Sequence, residues 1–249
     1  MIQLAENFDT LGGFCGNAFS CRIRATADAY GFGHPFARFW TQGHHAAICM
    51  LDDAMVLDAR PDADFGELAA FLSATGARTL LCATEAAEKL PFCASDMGEI
   101  MALHAPFPPA DNVIEWDPSP RELHALLCAC ETAHFIPPPF EPFYLDLSHR
   151  TRHGTACSAA VRLGDALAAC AVCSARADGA AVLSAVAVHP SFRRRGLGAR
   201  VVRALAAHLA VDIIYIFRAE NENEAFYRSL GFAGCGGFAE LSIQKRRTS

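Results

Sequence analysis

The sequence predicts an α/β protein in two successive units, a smaller α/β unit followed by one with a mixed, mostly antiparallel sheet flanked by helices. Three observations carry this. The second half strings strand-like apolar runs into a strand–helix–strand pattern, as antiparallel strands do when they lead into a parallel crossover. The first half repeats part of that order. Of 249 residues, 52% are hydrophobic and 19% charged, enough apolar material for packed cores.

In chain order, "ARFWTQ", "HAAICML" and "AMVLDARP" (37–61) read as three strands. "FGELAAFLSATG" is an amphipathic helix that ends at Gly76, and "ARTLLC" is the next strand. The breaker cluster "HAPFPPADN" (104–112) belongs to neither element type and sets a boundary, with residues 1–108 as a first domain and 109–249 as a second. "NVIEW" then opens as a strand, and Ser119 caps a helix that has Pro120 at its first position. The prolines at 137–139, with Pro142 soon after, cannot continue that helix. "TACSAAVRL", "ALAACAVCSAR" and "GAAVLSAVAV" are three strands. "GLGARVVRALAAHLA" is a helix with Leu197, Val201, Val202, Leu205 and Leu209 on one side. "VDIIYIF" is a strand, "NEAFYRSL" a short helix ended by Gly231, and "FAELSIQK" the closing strand.

"VLDARPDADFGELAAFL" occupies in the first half the place that "VAVHPSFRRRGLGARVV" holds in the second, with Asp62 and Asp64 where arginines stand. A duplicated fold with one degenerate copy accounts for this, and so do two unrelated α/β domains of similar order.

The net charge of −6 hides an asymmetry. Up to Phe140 there are 7 Lys and Arg against 18 Asp and Glu; from Glu141 onward there are 14 against 9. Only the second half can attract an anion, and a nucleic-acid binder needs a broader basic face. No apolar run approaches the roughly 18 to 20 residues of a membrane span. "MIQLAENFD" lacks the basic and apolar regions of a secretory signal, so a cytoplasmic location is expected. The eleven cysteines sit mostly among alanines and read as small core residues of a reducing compartment. The one CxxC, Cys170 to Cys173, lies in a strand and has no second pair at zinc-ribbon spacing, so no metal is expected.

The chemistry concentrates at Arg193–Ala199. A Walker loop would need Gly-Lys-Ser/Thr, and a dinucleotide fingerprint a third glycine where Val201 stands; both fail. What remains is Arg-x-x-Gly-x-Gly between a strand ending Val-His-Pro and a helix. The backbone N–H groups from Arg194 to Ala199 and the helix dipole favour an anion there, Gly196 and Gly198 remove side chains, and the arginines add charge-assisted bonds.

Here the sequence resembles the GNAT acetyltransferase superfamily, whose Arg/Gln-x-x-Gly-x-Gly/Ala motif after a Val-x-Pro strand end binds the acetyl-CoA pyrophosphate. "NENEAFYRSLGF" matches a second family motif, with Tyr227, Gly231 and Phe232 in register. The resemblance covers roughly 112–245. It implies acetyl-CoA as cosubstrate, bound by Arg193, Arg194, Arg195, Gly196, Gly198 and Ala199, by the backbone of Val186 and Val188, and by Asn223. The strands at 181–188 and 212–217 would splay around the pantetheine arm. It also implies direct transfer to an amine, with Tyr227 donating a proton to the departing thiolate.

Two departures matter. Glu220 stands where many relatives carry an Asn, with Asn221 and Asn223 nearby, and the 181–188 strand carries only Ser184 where many relatives carry a Glu base. The base is then water, Glu220, or one of His149, His153 and His189. Asp146 either holds a cationic amine or only caps a turn. The expected activity is acyl-CoA-dependent N-acyltransfer, acetyl foremost, to a small molecule or peptide, without nucleic acid or membrane and compatible with a homodimer. The alternative is a non-catalytic acyl-CoA-binding regulatory module.

Overall fold

The computed structural model describes residues 1–108, 114–132, 135–219 and 222–243. The chain forms two compact units. Unit 1 takes Met1–Met101, Phe217–Glu224 and the chain from Ala233; unit 2 takes Ala102–Ile216 and Ala225–Phe232.

Unit 1 begins with β1 (Gln3–Leu4), α1 (Phe8–Leu11) and α2 (Ala18–Tyr30). β2 (Ala37–Gln42), β3 (Ala46–Leu51) and β4 (Ala54–Ala59) then form an antiparallel meander. α3 (Phe65–Thr75) crosses over to β5 (Thr79–Ala83), which runs parallel to β4 from Ala54↔Thr79 to Val56↔Leu81. α4 (Thr84–Ala87) and the start of β6 (Cys93–His104) follow. Local chemistry sets the helix ends. The Asn17 side chain accepts from the N–H groups of Phe19 and Ser20 while Ser20 Oγ accepts from Asn17 N, a reciprocal cap that starts α2. Gly76 closes α3 in the left-handed region at φ 79°.

Unit 2 opens with the two-residue β7 (Glu115–Trp116), α5 (Pro120–Ala129) and α6 (Phe140–Arg152). Ser119 Oγ accepts from Arg121 N at the start of α5, with Pro120 in its first turn. β8 (Cys157–Leu163), β9 (Ala166–Ala177) and β10 (Ala180–Val188) make the second antiparallel meander. A 3₁₀ turn at Pro190–Phe192 leads to α7 (Leu197–Leu209) and the start of β11 (Ile213–Ala219), parallel to β10 from Ala180↔Ile213 to Leu183↔Ile216. α8 (Glu224–Ser229) follows, and β12 (Ala233–Ser242) pairs with β5 of unit 1 from Phe238↔Ala83 to Ser242↔Thr79.

The meander–helix–parallel strand order therefore occurs once in each unit. The closing strand read at "FAELSIQK" exists as far as Ser242, with Gln244 and Lys245 outside the described residues; it lies between β5 and β6, and the buried side chains Ala239, Leu241 and Ile243 join the unit 1 core with Ile48, Leu57, Leu68 and Leu80. The compact units thus divide at Met101/Ala102 and at three later points, where the sequence places a single cut at 108/109, beside residues 109–113 that lie outside the described set. The proline run precedes a helix that the sequence reading does not include. Pro142 falls in the first turn of α6, where its missing N–H would have had no intrahelical partner. Among the described residues no helix is long and apolar enough to cross a membrane.

Candidate active site

The candidate site lies in unit 2, where β10 gives way to α7. β10 is bulged against β9 on both sides of Leu183, so that Val182 faces Ala175, Leu183 faces Cys173 and Ala185 faces Val172. The parallel ladder to β11 ends at this same residue, while β10 runs on to Val188. Beyond the bulge the register to β9 is regular, from Val186↔Ala171 to Val188↔Ala169, and His189 N bonds Ala168 O at 2.9 Å. Backbone groups alternate in direction along an antiparallel strand. The peptide groups of Val186 and Val188 therefore face away from β9.

The loop that follows is tightly wound. His189 caps the 3₁₀ turn by accepting from Ser191 N at its Nδ1, 3.3 Å away. Arg194 and Gly196 are both left-handed, at φ 64° and 74°. A side chain at Gly196 would meet nothing within 4 Å, so its surroundings are open. Gly198 is different. It is buried, and a Cβ there would stand 3.3 Å from both Val188 Cγ2 and Phe226 Cζ. Its lack of a side chain lets α7 approach the end of β10 and α8, beside the ligand clearance that the sequence reading assigns to it.

α7 begins without a side-chain cap. Its first backbone bond is Arg200 N to Gly196 O at 3.1 Å, which leaves the N–H groups of Leu197, Gly198 and half-buried Ala199 without intrahelical acceptors. Leu197, Val201, Val202, Leu205 and Leu209 are buried, which holds the helix start in place. Arg193, Arg194 and Arg195 are all exposed. Arg193 is anchored, with Nε donating to Val188 O at 3.3 Å, and Arg195 stands over the Phe192 ring, 5.4 Å from its centroid. An uncapped helix terminus flanked by guanidinium groups is suited to phosphate oxygens.

Tyr227 reaches the same corner through its neighbour. Phe226 is the ring that Gly198 accommodates, and the Phe226 and Tyr227 rings pack edge-to-face at 5.0 Å. Tyr227 also packs on Phe232 at 5.7 Å, and its carbonyl accepts from Leu230 N and Phe232 N as α8 closes. The Tyr227 side chain is half-buried, and its hydroxyl has no hydrogen-bond partner among the described residues. Burial pushes its pKa up to about 12, so the phenol keeps its proton throughout the neutral range.

The other sequence candidates fall elsewhere. Asn223 is exposed at φ 55°, directly before α8, and groups with unit 1; Glu220 and Asn221 lie outside the described residues. Asp146 lies within α6 and pairs with buried Arg150 at 2.7 Å. His149 and His153 stack at the end of α6, and His153 Nδ1 meets His149 O at 2.9 Å. Ser184 is exposed on the bulge.

All eleven cysteines are free thiols. Burial pushes Cys170 up to about 12, which suits packing rather than reactivity. Among the described residues no group of three or more His, Cys, Asp and Glu is placed to hold a metal ion. Sequence reasoning missed Phe226 and Cys130, whose Sγ donates to Val188 O at 3.3 Å. Nothing local marks either one.

A bulged strand, a left-handed glycine corner and an uncapped helix together form one anion-suited corner of an α/β unit. Residues 121–232 match the acetyltransferase (GNAT) family, and the chain carries a GNAT domain there. That family draws its acyl group from acyl-CoA. Among solved structures, the chain is similar to a GCN5-related N-acetyltransferase from Kribbella flavida at 15% identity and TM-score 0.59, covering 92% of this chain and 95% of that one. It is similar to the tandem GNAT protein from the clavulanic acid biosynthesis pathway at 13% identity and TM-score 0.59, over 98% and 99% of the two chains. A GCN5-related N-acetyltransferase from Sphaerobacter thermophilus aligns at 15% identity and TM-score 0.53, over 88% and 84%. At such identities the likeness is one of fold alone. No curated protein matches the chain by sequence.

Proposed function

We propose that this chain is an acyl-CoA-dependent N-acyltransferase that passes an acyl group, acetyl foremost, directly from CoA to a primary amine of a small molecule or peptide. The observation that carries the reading is the uncapped start of α7 behind the open left-handed corner at Gly196. The N–H groups of Leu197, Gly198 and Ala199 would bind a diphosphate, with Arg193, Arg194 and Arg195 supplying charge. The outward peptide groups of Val186 and the N–H of Val188 would pair with the amides of an extended ligand as an added strand does.

Bound acyl-CoA supplies the activated acyl group. The protein's part is to hold both reactants in register and to manage protons. Tyr227 Oη, protonated and without a hydrogen-bond partner among the described residues, would give its proton to the leaving sulfur. The catalytic part would fall within the expected 109–249 domain, at residues that belong to unit 2.

Calorimetric titration of acetyl-CoA tests the donor site, and no heat at high micromolar concentration sinks the proposal. Thiol release with a panel of amines then tests transfer. A second reading has one observation in its favour, since β10 offers Ser184 and no carboxylate. On that reading the protein binds acyl-CoA without turning it over, and tight binding with no thiol release for any amine selects it.

A further inference from the structure

We infer that Cys130 is a positioning residue of the donor site: its thiol shares the Val188 carbonyl with Arg193 and so presets the Arg193 guanidinium for an anionic group. The inference rests on the acyl-CoA reading above.

Cys130 ends α5, where its N–H bonds Leu127 O, and it is only 8% exposed. Its Sγ lies 3.3 Å from Val188 O, and Arg193 Nε lies 3.3 Å from the same oxygen. A carbonyl oxygen has two lone pairs, and both are then occupied by this protein's own donors. The three groups therefore meet at one oxygen. This meeting point joins the end of α5, the end of β10 and the loop into α7.

Two consequences follow. The Val188 carbonyl cannot also accept from a ligand amide, so an extended ligand beside β10 is left the Val188 N–H and the peptide groups of Val186. Arg193, held at Nε, keeps its two terminal NH₂ groups for an anion. A guanidinium anchored in this way loses less freedom when it meets a phosphate than one swinging in water. The thiol contributes by fixing the carbonyl that anchors the arginine.

The test is CoA binding by calorimetry to the full chain, for wild type, Cys130→Ala, Cys130→Ser, Arg193→Ala and the Cys130→Ala/Arg193→Ala pair, each confirmed folded by its thermal melt. Cys130→Ala is expected to weaken CoA about five- to tenfold, and Cys130→Ser to stay within about twofold of wild type because a hydroxyl donates to the same oxygen. In the Arg193→Ala background, Cys130→Ala should add less than about twofold, since the two act through one anchor. Wild-type affinity in Cys130→Ala overturns the inference while the acyl-CoA reading stands. So does an equal loss in both backgrounds, which would mark a merely structural cysteine. If wild type itself takes up no CoA, the acyl-CoA reading falls and the inference falls with it.

Discussion

Each unit contains a corner where a strand leaves an antiparallel meander, turns and enters a crossover helix, and the two corners are chemically opposite. At α3 the helix start is closed by acid. Asp64 Oδ1 accepts from Glu67 N at 3.0 Å, and Gln42 bridges to the Asp64 backbone at both its N–H and its carbonyl. Glu67 in turn accepts from Ile2 N and Gln42 Nε2, both at 2.7 Å. The positive end of that helix is already neutralised, and a phosphate there would face two carboxylates. At α7 no side chain caps the helix, a glycine replaces the capping residue and three arginines precede it. One topology thus carries a self-satisfied corner and an open one. The difference lies in a few side chains rather than in backbone architecture.

Placing acid in the open corner should have the largest effect. Gly196→Asp is expected to lower CoA affinity at least about 100-fold by calorimetry, while far-UV circular dichroism stays unchanged, because the site has room and aspartate is among the residues that adopt the left-handed region at a cost of about 1 kcal/mol. Retained affinity would mean that the α7 terminus is not the phosphate site.

Next comes the proton donor. Tyr227→Phe should reduce kcat about 100-fold and leave KM for acyl-CoA within about twofold. An unchanged kcat removes Tyr227 from the mechanism. Gly198→Ala, which presses on Val188 and Phe226, should cost about 1–2 kcal/mol in denaturant unfolding and should also weaken CoA.

The reciprocal change in the closed corner is milder. Asp64→Ala should cost about 1 kcal/mol of stability through the lost cap and leave CoA binding as it was. A change in CoA affinity would show that the closed corner takes part in donor binding.

The smallest effect is a pH dependence. Folding holds the Tyr227 proton up to about pH 12, whereas an unfolded tyrosine loses its proton near pH 10. Between those values the folded state binds more protons, so stability falls as pH rises through that window and is insensitive to this group below it. For the same reason Tyr227 should impose no alkaline limb on kcat below about pH 10. A limb that shifts in Tyr227→Phe at lower pH would contradict this.

The meander strands of both units, α3 with its glycine stop, α5 with its serine cap and α7 with its apolar face are legible because each depends on neighbours within a few residues. α2 escaped because its alanine-rich run has little amphipathic contrast, although Asn17 and Ser20 spell a cap. α6 escaped because its prolines read as a stop, although proline is tolerated in a first turn. In the site, the arginines, the glycines and Tyr227 stand in a spaced motif. Cys130 and Phe226 are ordinary residues that gain meaning from contacts with residues 58 and 28 positions away.

By itself, then, the sequence determined the two α/β halves, the charge contrast between them and the anion-seeking character of Arg193–Ala199, all of which follow from short-range pattern and composition. Only the tertiary structure decided that β12 pairs with β5, that Gly198 serves close packing, and that Cys130 and Arg193 converge on one carbonyl. Such outcomes depend on pairings between distant segments, and a strand's own residues do not specify which edge will satisfy its backbone hydrogen bonds.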